Sequence, residues 1–297
     1  MAASNSVGAV VALWRFPVKS MLGEQVGSAE MTEGGLVGDR AYALIEVKTG
    51  KVVSAKSTRL FPNLLGCRAS FVEPPQAGRP PPPVRITLPN GTEVTSESSD
   101  VDAVLTGLFQ RDVTLALAAP EEFTIDQYHS DIEDLDPEGH RDTVLEQKLG
   151  SALFDELGMP SPVPIGSFFD LFPVSVLTTS TLDQLNELRP MSQFDPRRFR
   201  MNVIVGTHDP GFVENEWIGR RLAVGNGVQL RIAMPDPRCV MTTLPQGDLP
   251  KDSEVLRTLT RHNRVQVAGA GLFPCAGVYA VVESVGTIRA GDICALT

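Results

Sequence analysis

The chain has 297 residues, 42% of them hydrophobic, so it can form one large or two ordinary domains with real cores. Its formal net charge of −10 argues against a broad nucleic-acid-binding surface, because phosphate binding needs concentrated Lys and Arg. No apolar run is long enough for a membrane-spanning helix, and the N-terminus has no signal-peptide pattern. The four cysteines form no CxxC pair, which argues against a disulfide framework or a zinc ribbon and makes a reducing cytoplasm the expected location.

Alternating apolar and polar residues separated by glycines characterise the first part of the chain. The runs VGAVVALWRF, SAEMTEGGLVGD, RAYALIEV and KVVSAK predict strands of a hairpin-rich β unit, either a small barrel or a curled sheet. Prolines 80–83 predict a loop, because proline cannot donate to a strand ladder. Asn90-Gly91 predicts a hairpin turn after VRITLP, and SSDVDAVLTGLF predicts a helix opened by Ser98 or Ser99.

The middle of the chain, from about residue 121 to 165, is acidic and contains proline and glycine. Such a composition predicts either a solvated connector between two domains or a long crossing over an active site, and the sequence leaves both open. Within this stretch LFDELG predicts a short helix. A domain boundary is therefore expected here.

The pattern of a folded core returns from Phe168 onwards. Strands are predicted at FPVSVLTT, RMNVIVG, GRRLAVG, VQLRIAMP and CALT. STLDQLNEL predicts a helix capped by Ser180 or Thr181, and DSEVLRTLTRHN predicts another. The whole is expected to be α/β or α+β and strand-dominated, without the glycine-rich strand-to-helix turn of a dinucleotide-binding fold.

One cysteine in the C-terminal half is a candidate for chemistry. Cys239 lies in PDPRCVMTT, where prolines fix a turn and Arg238 provides a fixed positive neighbour. A neighbouring cation favours the thiolate, which is the form that ligates metals or attacks electrophiles. The alternative is an inert core cysteine, and the residues alone leave the two interpretations open.

Three groups of basic residues are candidates for anion binding. In RRFRMN, alternate residues of a strand point the same way, so Arg198 and Arg200 are expected to converge on one anion. Lys19 and Ser20 follow a proline in PVKSM, and Arg40 ends the turn GDR. Taken alone, each group is more often part of a solvated surface.

The order and spacing of these motifs resemble a known family. RRFRMNVIV, then PDPRCVMTT and finally GTIRAGD resemble the MOSC domain, named after the C-terminal part of molybdenum cofactor sulfurase. In front of them, FPVKSM, GLVGDR and VVSAK resemble the β-barrel domain that precedes MOSC in the mitochondrial amidoxime reducing component and its bacterial homologues. The resemblance covers nearly the whole chain.

The resemblance implies an α+β, strand-dominated fold with two barrel-like domains. It places a MOSC N-terminal β-barrel domain at residues 6–125, packed on a C-terminal MOSC β-barrel domain with peripheral helices at residues 166–297. Residues 126–165 would form the acidic connector or active-site crossing between them.

The resemblance also implies a cofactor, molybdenum bound to molybdopterin. In this family the cysteine of the Arg-Cys dipeptide ligates the metal, which here is Cys239, and a soft thiolate suits that role. A phosphate with nearly two negative charges, buried in an acidic protein, needs several charge-assisted donors from separate segments. The residues expected to bind the cofactor are Lys19, Ser20, Arg40, Lys56, Arg141, Thr178, Arg198, Arg200, Asn202 and Arg238.

The sequence departs from the family pattern at several places. The tripeptide ending at Lys56 is SAK where many relatives have TAR, which keeps the charge but loses the bidentate guanidinium, and Met201 replaces a common proline. The segment HSDIEDLDPEGHRDTV does not resemble the mitochondrial proteins. Its His140, Arg141 and Asp142 resemble a pattern of actinobacterial-type homologues, in which Arg141 would close over the cofactor.

The function that the resemblance implies is reduction of small N-oxygenated, or N-hydroxylated, compounds by oxygen-atom transfer to the reduced metal. The cofactor carries the difficult step, while the protein orients it and controls access. No cysteine-rich tail for an iron–sulfur cluster is present, so electrons are expected from a separate donor, either a ferredoxin or a cytochrome with a flavin reductase.

Two other functions stay open at this level. The chain could store or carry the molybdenum cofactor without catalysis, which inspection of the sequence does not exclude. It could also transfer sulfur through a Cys239 persulfide. Pyridoxal phosphate is associated with the family, yet no pyridoxal-phosphate desulfurase domain precedes the motifs, which argues against sulfur transfer.

Overall fold

The computed structural model describes residues 6–267 and 269–297. Strands dominate this part of the chain, together with four α-helices and several short 3₁₀ turns, which confirms the predicted α+β, strand-rich class. The strands are β1 (Ser6–Arg15), β2 (Glu24–Val26), β3 (Ser28–Thr32), β4 (Gly35–Leu36), β5 (Ala43–Glu46), β6 (Arg68–Phe71), β7 (Val84–Thr87), β8 (Glu93–Thr95), β9 (Val113–Ala116), β10 (Thr124–His129), β11 (Thr143–Lys148), β12 (Val174–Thr178), β13 (Val203–Gly206), β14 (Arg221–Val224), β15 (Val228–Pro237), β16 (Arg264–Val267), β17 (Gly271–Ser284), β18 (Gly286–Arg289) and β19 (Ile293–Leu296). The α-helices are α1 (Val101–Phe109), α2 (Ser151–Glu156), α3 (Thr179–Leu188) and α4 (Glu254–His262).

Seven strands close into a barrel. Their order is β12-β13-β1-β19-β14-β15-β17, and β17 pairs with β12 to complete the ring. The interior is filled by β-branched and aliphatic side chains, among them Leu13, Val203 and Leu230. Alternation along each strand sends such residues inward, because successive side chains of a strand point to opposite faces. Closure also leaves the barrel without an exposed strand edge.

The first strand of the chain belongs to this barrel. β1 lies between β13 and β19, with Leu13 opposite Val203 and Ala9 opposite Ile293. β3 likewise pairs with β18, so the first described strands pair with strands of the C-terminal half. The family-based division into residues 6–125, 126–165 and 166–297 stays a prediction.

The rest of the N-terminal half forms smaller sheets around a second core. β6, β7 and β8 make one sheet, β5 pairs with β9, and α1 packs beside β9. The turn between β7 and β8 confirms the predicted hairpin. Asn90 Oδ1 accepts a hydrogen bond of 3.0 Å from the Thr92 amide, and Gly91 has a φ of 85°, which glycine adopts without strain.

Three local predictions were wrong. KVVSAK is not a strand, and only Val52 forms an isolated bridge, to Ile45 of β5. Helix α1 is not opened by a serine: Asp100 precedes it, while the Ser98 hydroxyl accepts from the Thr95 amide in the preceding turn. Helix α3 is capped by Thr178 instead of Ser180 or Thr181. The two capping errors arose because a serine or threonine hydroxyl can bond to several nearby backbone groups, and the sequence does not show which one it chooses. The strand error concerned a run of only six residues.

The acidic segment is more regular than its composition indicates. Residues 124–148 form a hairpin in which β10 and β11 pair in register from Thr124 with Lys148 to His129 with Thr143. The acidic residues lie mainly in the loop that connects the two strands, while Ile125 of β10 is fully buried. The short helix predicted from LFDELG is confirmed as α2.

Candidate functional site

A single large cleft collects most of the predicted functional residues. Its volume is about 1140 Å³, and it is lined by the N-terminal half, the β10–β11 hairpin and the C-terminal barrel. Nine of the eleven predicted site residues line it: Lys19, Ser20, Arg40, Lys56, Arg198, Arg200, Asn202, Arg238 and Cys239. Ligand pockets are typically about 300–1,000 Å³, so this cleft has room for a large cofactor and a small second molecule.

Cys239 is the accessible thiol of the described chain. It follows strand β15 and precedes the 3₁₀ turn Val240–Thr243, where its carbonyl accepts hydrogen bonds from the amide and hydroxyl of Thr242. Cys239 is half-buried, whereas Cys67, Cys275 and Cys294 are buried. Burial raises the pKa of each of those three thiols to about 12, which keeps them protonated and inert.

An aspartate joins the two lysines of the cleft. Asp170 pairs with Lys19 and, at 2.8 Å, with Lys56, while Lys19 Nζ also donates to the Phe168 carbonyl at 2.8 Å. Burial lowers the pKa of Lys19 to about 8, against the opposing effect of Asp170. Burial would also lower the pKa of Lys56, but its pairing with Asp170 opposes that effect, and the pKa is raised. The two ammonium groups hold the pKa of Asp170 well below its usual range despite its burial.

A second network fixes two arginines. Asp39 pairs with Arg40 and accepts from Asn202 Nδ2 at 3.0 Å. Arg40 in turn donates to the Arg200 carbonyl at 3.2 Å. The Phe16 ring lies 5.2 Å from the Arg40 guanidinium and 4.3 Å from that of Arg200, within the range of cation–π attraction. These two cations are therefore held close together in the cleft despite their mutual repulsion.

Arg198 and Arg238 are held mainly by the protein itself. Arg198 is buried and donates to the carbonyls of Thr242 and Leu244, both at 3.3 Å, in the turn that follows Cys239. Arg238 donates to the Phe199 carbonyl at 2.8 Å and pairs with Asp236. Both guanidinium groups therefore brace the loop around the thiol.

The predicted strand that would align Arg198 with Arg200 is not present. Pro196–Phe199 is a 3₁₀ turn whose Asp195 cap accepts from the Arg197 amide at 2.9 Å, and β13 begins only at Val203. The aspartate-proline pair favours this turn over a strand. Arg200 does reach the cleft, but through a left-handed backbone conformation.

Backbone strain is concentrated at the predicted site. Ser20, Arg40 and Arg200 have φ values of 64°, 49° and 55°, a region that residues other than glycine rarely adopt. They are three of the six such residues among those described. Each such conformation costs about 1–3 kcal/mol, and residues held this way cluster at functional sites.

Two predicted residues lie outside the cleft. Thr178 is fully buried at the start of α3, where its hydroxyl donates to Glu214 at 2.6 Å and accepts from the Thr181 amide at 3.2 Å. Arg141 is exposed in the β10–β11 loop and pairs with Asp131 at 2.7 Å. The structure thus gives no geometric support for a cofactor contact by either residue.

Three carboxylates of the site were not among the predicted residues. Asp39, Asp170 and Asp236 pair with Arg40, with the two lysines and with Arg238. Burial raises the pKa of Asp236 to about 6 even though Arg238 opposes the shift. Asp39 directly precedes Arg40 in the motif GDR, and Asp236 lies two residues before Arg238 in DPR. These short spacings could have indicated the two ion pairs. Nothing near Asp170 in FFDLFP indicated its role.

The fold and the cleft define a strand-barrel protein in which buried cations surround one accessible thiol. The description "MOSC domain" matches residues 166–295, and "MOSC N-terminal beta barrel domain" matches residues 7–118. The chain therefore belongs to the MOSC-domain family, which confirms the resemblance found in its motifs.

The chain is similar to named members of this family. It is 26% identical over 300 residues to mitochondrial amidoxime reducing component 2 of Bos taurus, covering 97% of this chain and 83% of that protein. It is also 26% identical over 317 residues to mitochondrial amidoxime-reducing component 1 of Homo sapiens, covering 97% of this chain and 82% of the relative. The crystal structure of the YUAD protein from Bacillus subtilis aligns over 98% of this chain and 95% of its own, with a TM-score of 0.45 and 12% identity.

Helices that could cross a membrane are missing from the part of the chain that the structure describes, since none there is both long and apolar enough.

Proposed function

We propose that this protein binds a molybdenum cofactor through Cys239 and reduces N-hydroxylated compounds. The observation that carries the proposal is the convergence of nine predicted residues, from segments far apart in the chain, on one cleft with the accessible thiol. The names of the relatives, amidoxime reducing components, support the reaction class.

The residues of the cleft fit such a group. A thiolate is the soft ligand that a molybdenum–sulfur centre prefers, and Cys239 is the accessible cysteine among the described residues. In the part of the cleft around the thiol, the six predicted cations outnumber the three carboxylates that pair with them, which leaves positive charge for a phosphate. The cations are Lys19, Arg40, Lys56, Arg198, Arg200 and Arg238, and the carboxylates are Asp39, Asp170 and Asp236.

We assign different tasks to these cations. Lys19, Lys56, Arg40 and Arg200 would hold the pterin and its phosphate. Arg198 and Arg238 would instead keep the Cys239 loop in place, because Arg198 donates to two carbonyls of that loop and Arg238, which precedes the thiol, is anchored by the Phe199 carbonyl and Asp236. When bound, a reduced molybdenum centre supplies the two electrons that remove oxygen from the N-hydroxylated substrate.

The four cysteines of the described chain do not offer a route for electrons. Cys275 is buried in β17, Cys294 in β19, and Cys67 directly before β6. The described residues therefore do not form the cysteine cluster that an iron–sulfur centre needs. We propose a separate ferredoxin, or a cytochrome with a flavin reductase, as the donor. A cytoplasmic location stays a prediction, since the relatives carry mitochondrial names.

The test is metal content followed by turnover. The protein is expressed in a host that makes molybdopterin, molybdenum per chain is measured, and reduction of benzamidoxime is assayed with a chemical reductant. We expect close to one molybdenum per chain, its loss in Cys239→Ala, and its retention in Cys294→Ala, which removes a thiol that does not line the cleft.

Each failure has a distinct meaning. A metal-free native protein would overturn the cofactor assignment, and metal retained by Cys239→Ala would overturn the ligand assignment. Full loading without turnover would leave the cofactor in place but replace catalysis with the carrier function. Sulfur released from native protein but not from Cys239→Ala would instead indicate persulfide transfer.

A further inference from the structure

A second group of ligand side chains lies at the end of the β10–β11 hairpin. His129 closes β10, and Asp136 and His140 lie in the loop that leads to β11. Asp136 Oδ2 is 2.7 Å from His140 Nδ1 and 3.2 Å from His129 Nδ1. One ligand atom from each residue lies within 4.8 Å of the other two, and the imidazole rings are 5.5 Å apart.

We propose that His129, Asp136 and His140 bind a divalent transition-metal ion, with Zn²⁺ as the representative. Two imidazoles and a carboxylate are the ligand set that zinc sites with an open position use, and borderline ions such as Zn²⁺ and Co²⁺ prefer imidazole nitrogen. The site is separate from Cys239 and shares none of the residues assigned above to the molybdenum cofactor.

The surroundings of the three side chains are those of a prepared ligand set. Asp136 Oδ1 accepts from the Glu138 amide at 3.0 Å, which orients the carboxylate and leaves Oδ2 for the two histidines. The Gln147 side-chain amide lies 3.4 Å from the other ring nitrogen of His129, Nε2, and its oxygen accepts from that nitrogen once the amide is turned over. Metal-binding histidines and carboxylates characteristically have such partners, which fix their orientation.

A fourth side chain lies beside this group of three. Glu138 Oε2 lies 3.5 Å from His140 Nδ1 and offers a fourth ligand, with water as the other candidate for that position.

The ion would brace one wall of the cleft. His129, Asp136 and His140 all line the cleft, and they connect the end of a strand to two points of the following loop. A metal that joins them would fix this loop as part of the cleft wall. Metal binding at the hairpin is therefore expected to order residues 130–142 without changing the barrel.

The experiment is a titration of chelator-treated full-length protein with ZnCl₂, competed against a chromophoric chelator. We expect one Zn²⁺ per chain. Asp136→Asn and His140→Gln should each weaken binding by at least about tenfold, because even the loss of a residue that only hydrogen-bonds to a metal ligand has an effect of that size. The matched control is the double variant His208→Gln/His262→Gln, which removes the two exposed histidines outside the group.

A second readout identifies the ligands. Co²⁺ bound at the hairpin should give visible d–d bands without the near-ultraviolet charge-transfer band of a cobalt–thiolate bond. Thermal unfolding without metal should be unchanged in His140→Gln, and added Zn²⁺ should raise the melting temperature of the native and control proteins only.

Either of two results would overturn the proposal. If the native protein, Asp136→Asn and His140→Gln bind Zn²⁺ with equal affinity, the ion does not bind at the hairpin. A thiolate charge-transfer band that disappears in Cys239→Ser would place the ion at the cleft cysteine instead. Failure of molybdenum loading would leave these outcomes unaffected, since the two sites have no ligand in common.

Discussion

Lys19 shows how burial changes what a cation can do in this cleft. Its pKa is lowered to about 8 from an ordinary 10.5, chiefly because burial disfavours the charged form. Asp170 opposes that effect and keeps the ammonium charged near neutral pH. An anion that enters the cleft would therefore meet a lysine that is charged below about pH 8 and neutral above it.

Binding of an anion should accordingly weaken as the pH rises through about 8. Inorganic phosphate titrated into cofactor-free protein should lose affinity by up to about tenfold per pH unit above that value, because binding then requires uptake of one proton. Calorimetry between about pH 8 and 10 measures the slope. Lys19→Arg is the control, since a guanidinium keeps its charge to higher pH than an ammonium and should give a flatter profile than the native protein. A native profile as flat as that of Lys19→Arg would show that Lys19 does not titrate on binding.

At the scale of an element, the start of helix α3 depends on a buried carboxylate. Glu214 accepts hydrogen bonds from the Thr178 and Thr181 hydroxyls and, at 3.0 Å, from the Gly277 amide. Burial raises its pKa although these donors oppose the shift. Thr178 thus connects β12, α3 and the turn Val213–Trp217 through one hydroxyl.

Removal of that hydroxyl should destabilise the protein. Thr178→Val loses the helix cap and one hydrogen bond to a buried carboxylate, which together predict a loss of about 2–4 kcal/mol in the free energy of unfolding. Thr178→Ser keeps the hydroxyl and should retain most of the stability. Urea denaturation followed by circular dichroism measures both. If the two variants unfold at the same urea concentration, the hydroxyl does not carry the stability of this helix start.

On the scale of the whole molecule, the barrel makes the two halves of the chain interdependent. β1 comes from the extreme N-terminal part but supplies a strand between β13 and β19. The cleft likewise takes Lys19, Arg40 and Lys56 from one half and Cys239 from the other. Neither the barrel nor the cleft is complete without both halves.

The fragment 166–297 should therefore fail to fold on its own. Without β1 it would expose the edges of two strands and part of the barrel interior. We expect a fragment without cooperative thermal unfolding, and recovery of that transition when residues 6–165 are co-expressed with it. Circular dichroism and calorimetry provide the measurement. A fragment that unfolds cooperatively alone would show that residues 166–297 are an independent domain after all.

The sequence alone was enough to predict the family, many of the strands and most residues of the cleft. Period-two patterning located six of the seven barrel strands but not β17, and the motifs around Lys19, Arg40, Arg200 and Cys239 identified the family and the residues that meet in the cleft. Those signals are local: side-chain alternation, turn residues and short strings of fixed order can be read without knowing what packs against them.

Only the tertiary structure decided the features that depend on distant partners. It showed that β1 closes the C-terminal barrel, that Asp170 joins two lysines, and that Thr178 caps a helix instead of facing the cleft. It also showed that the acidic segment forms a hairpin in which two histidines lie close together. The physical reason is that strand pairing and burial of charge depend on which residue packs against which, and the pattern of a single segment does not encode that partner.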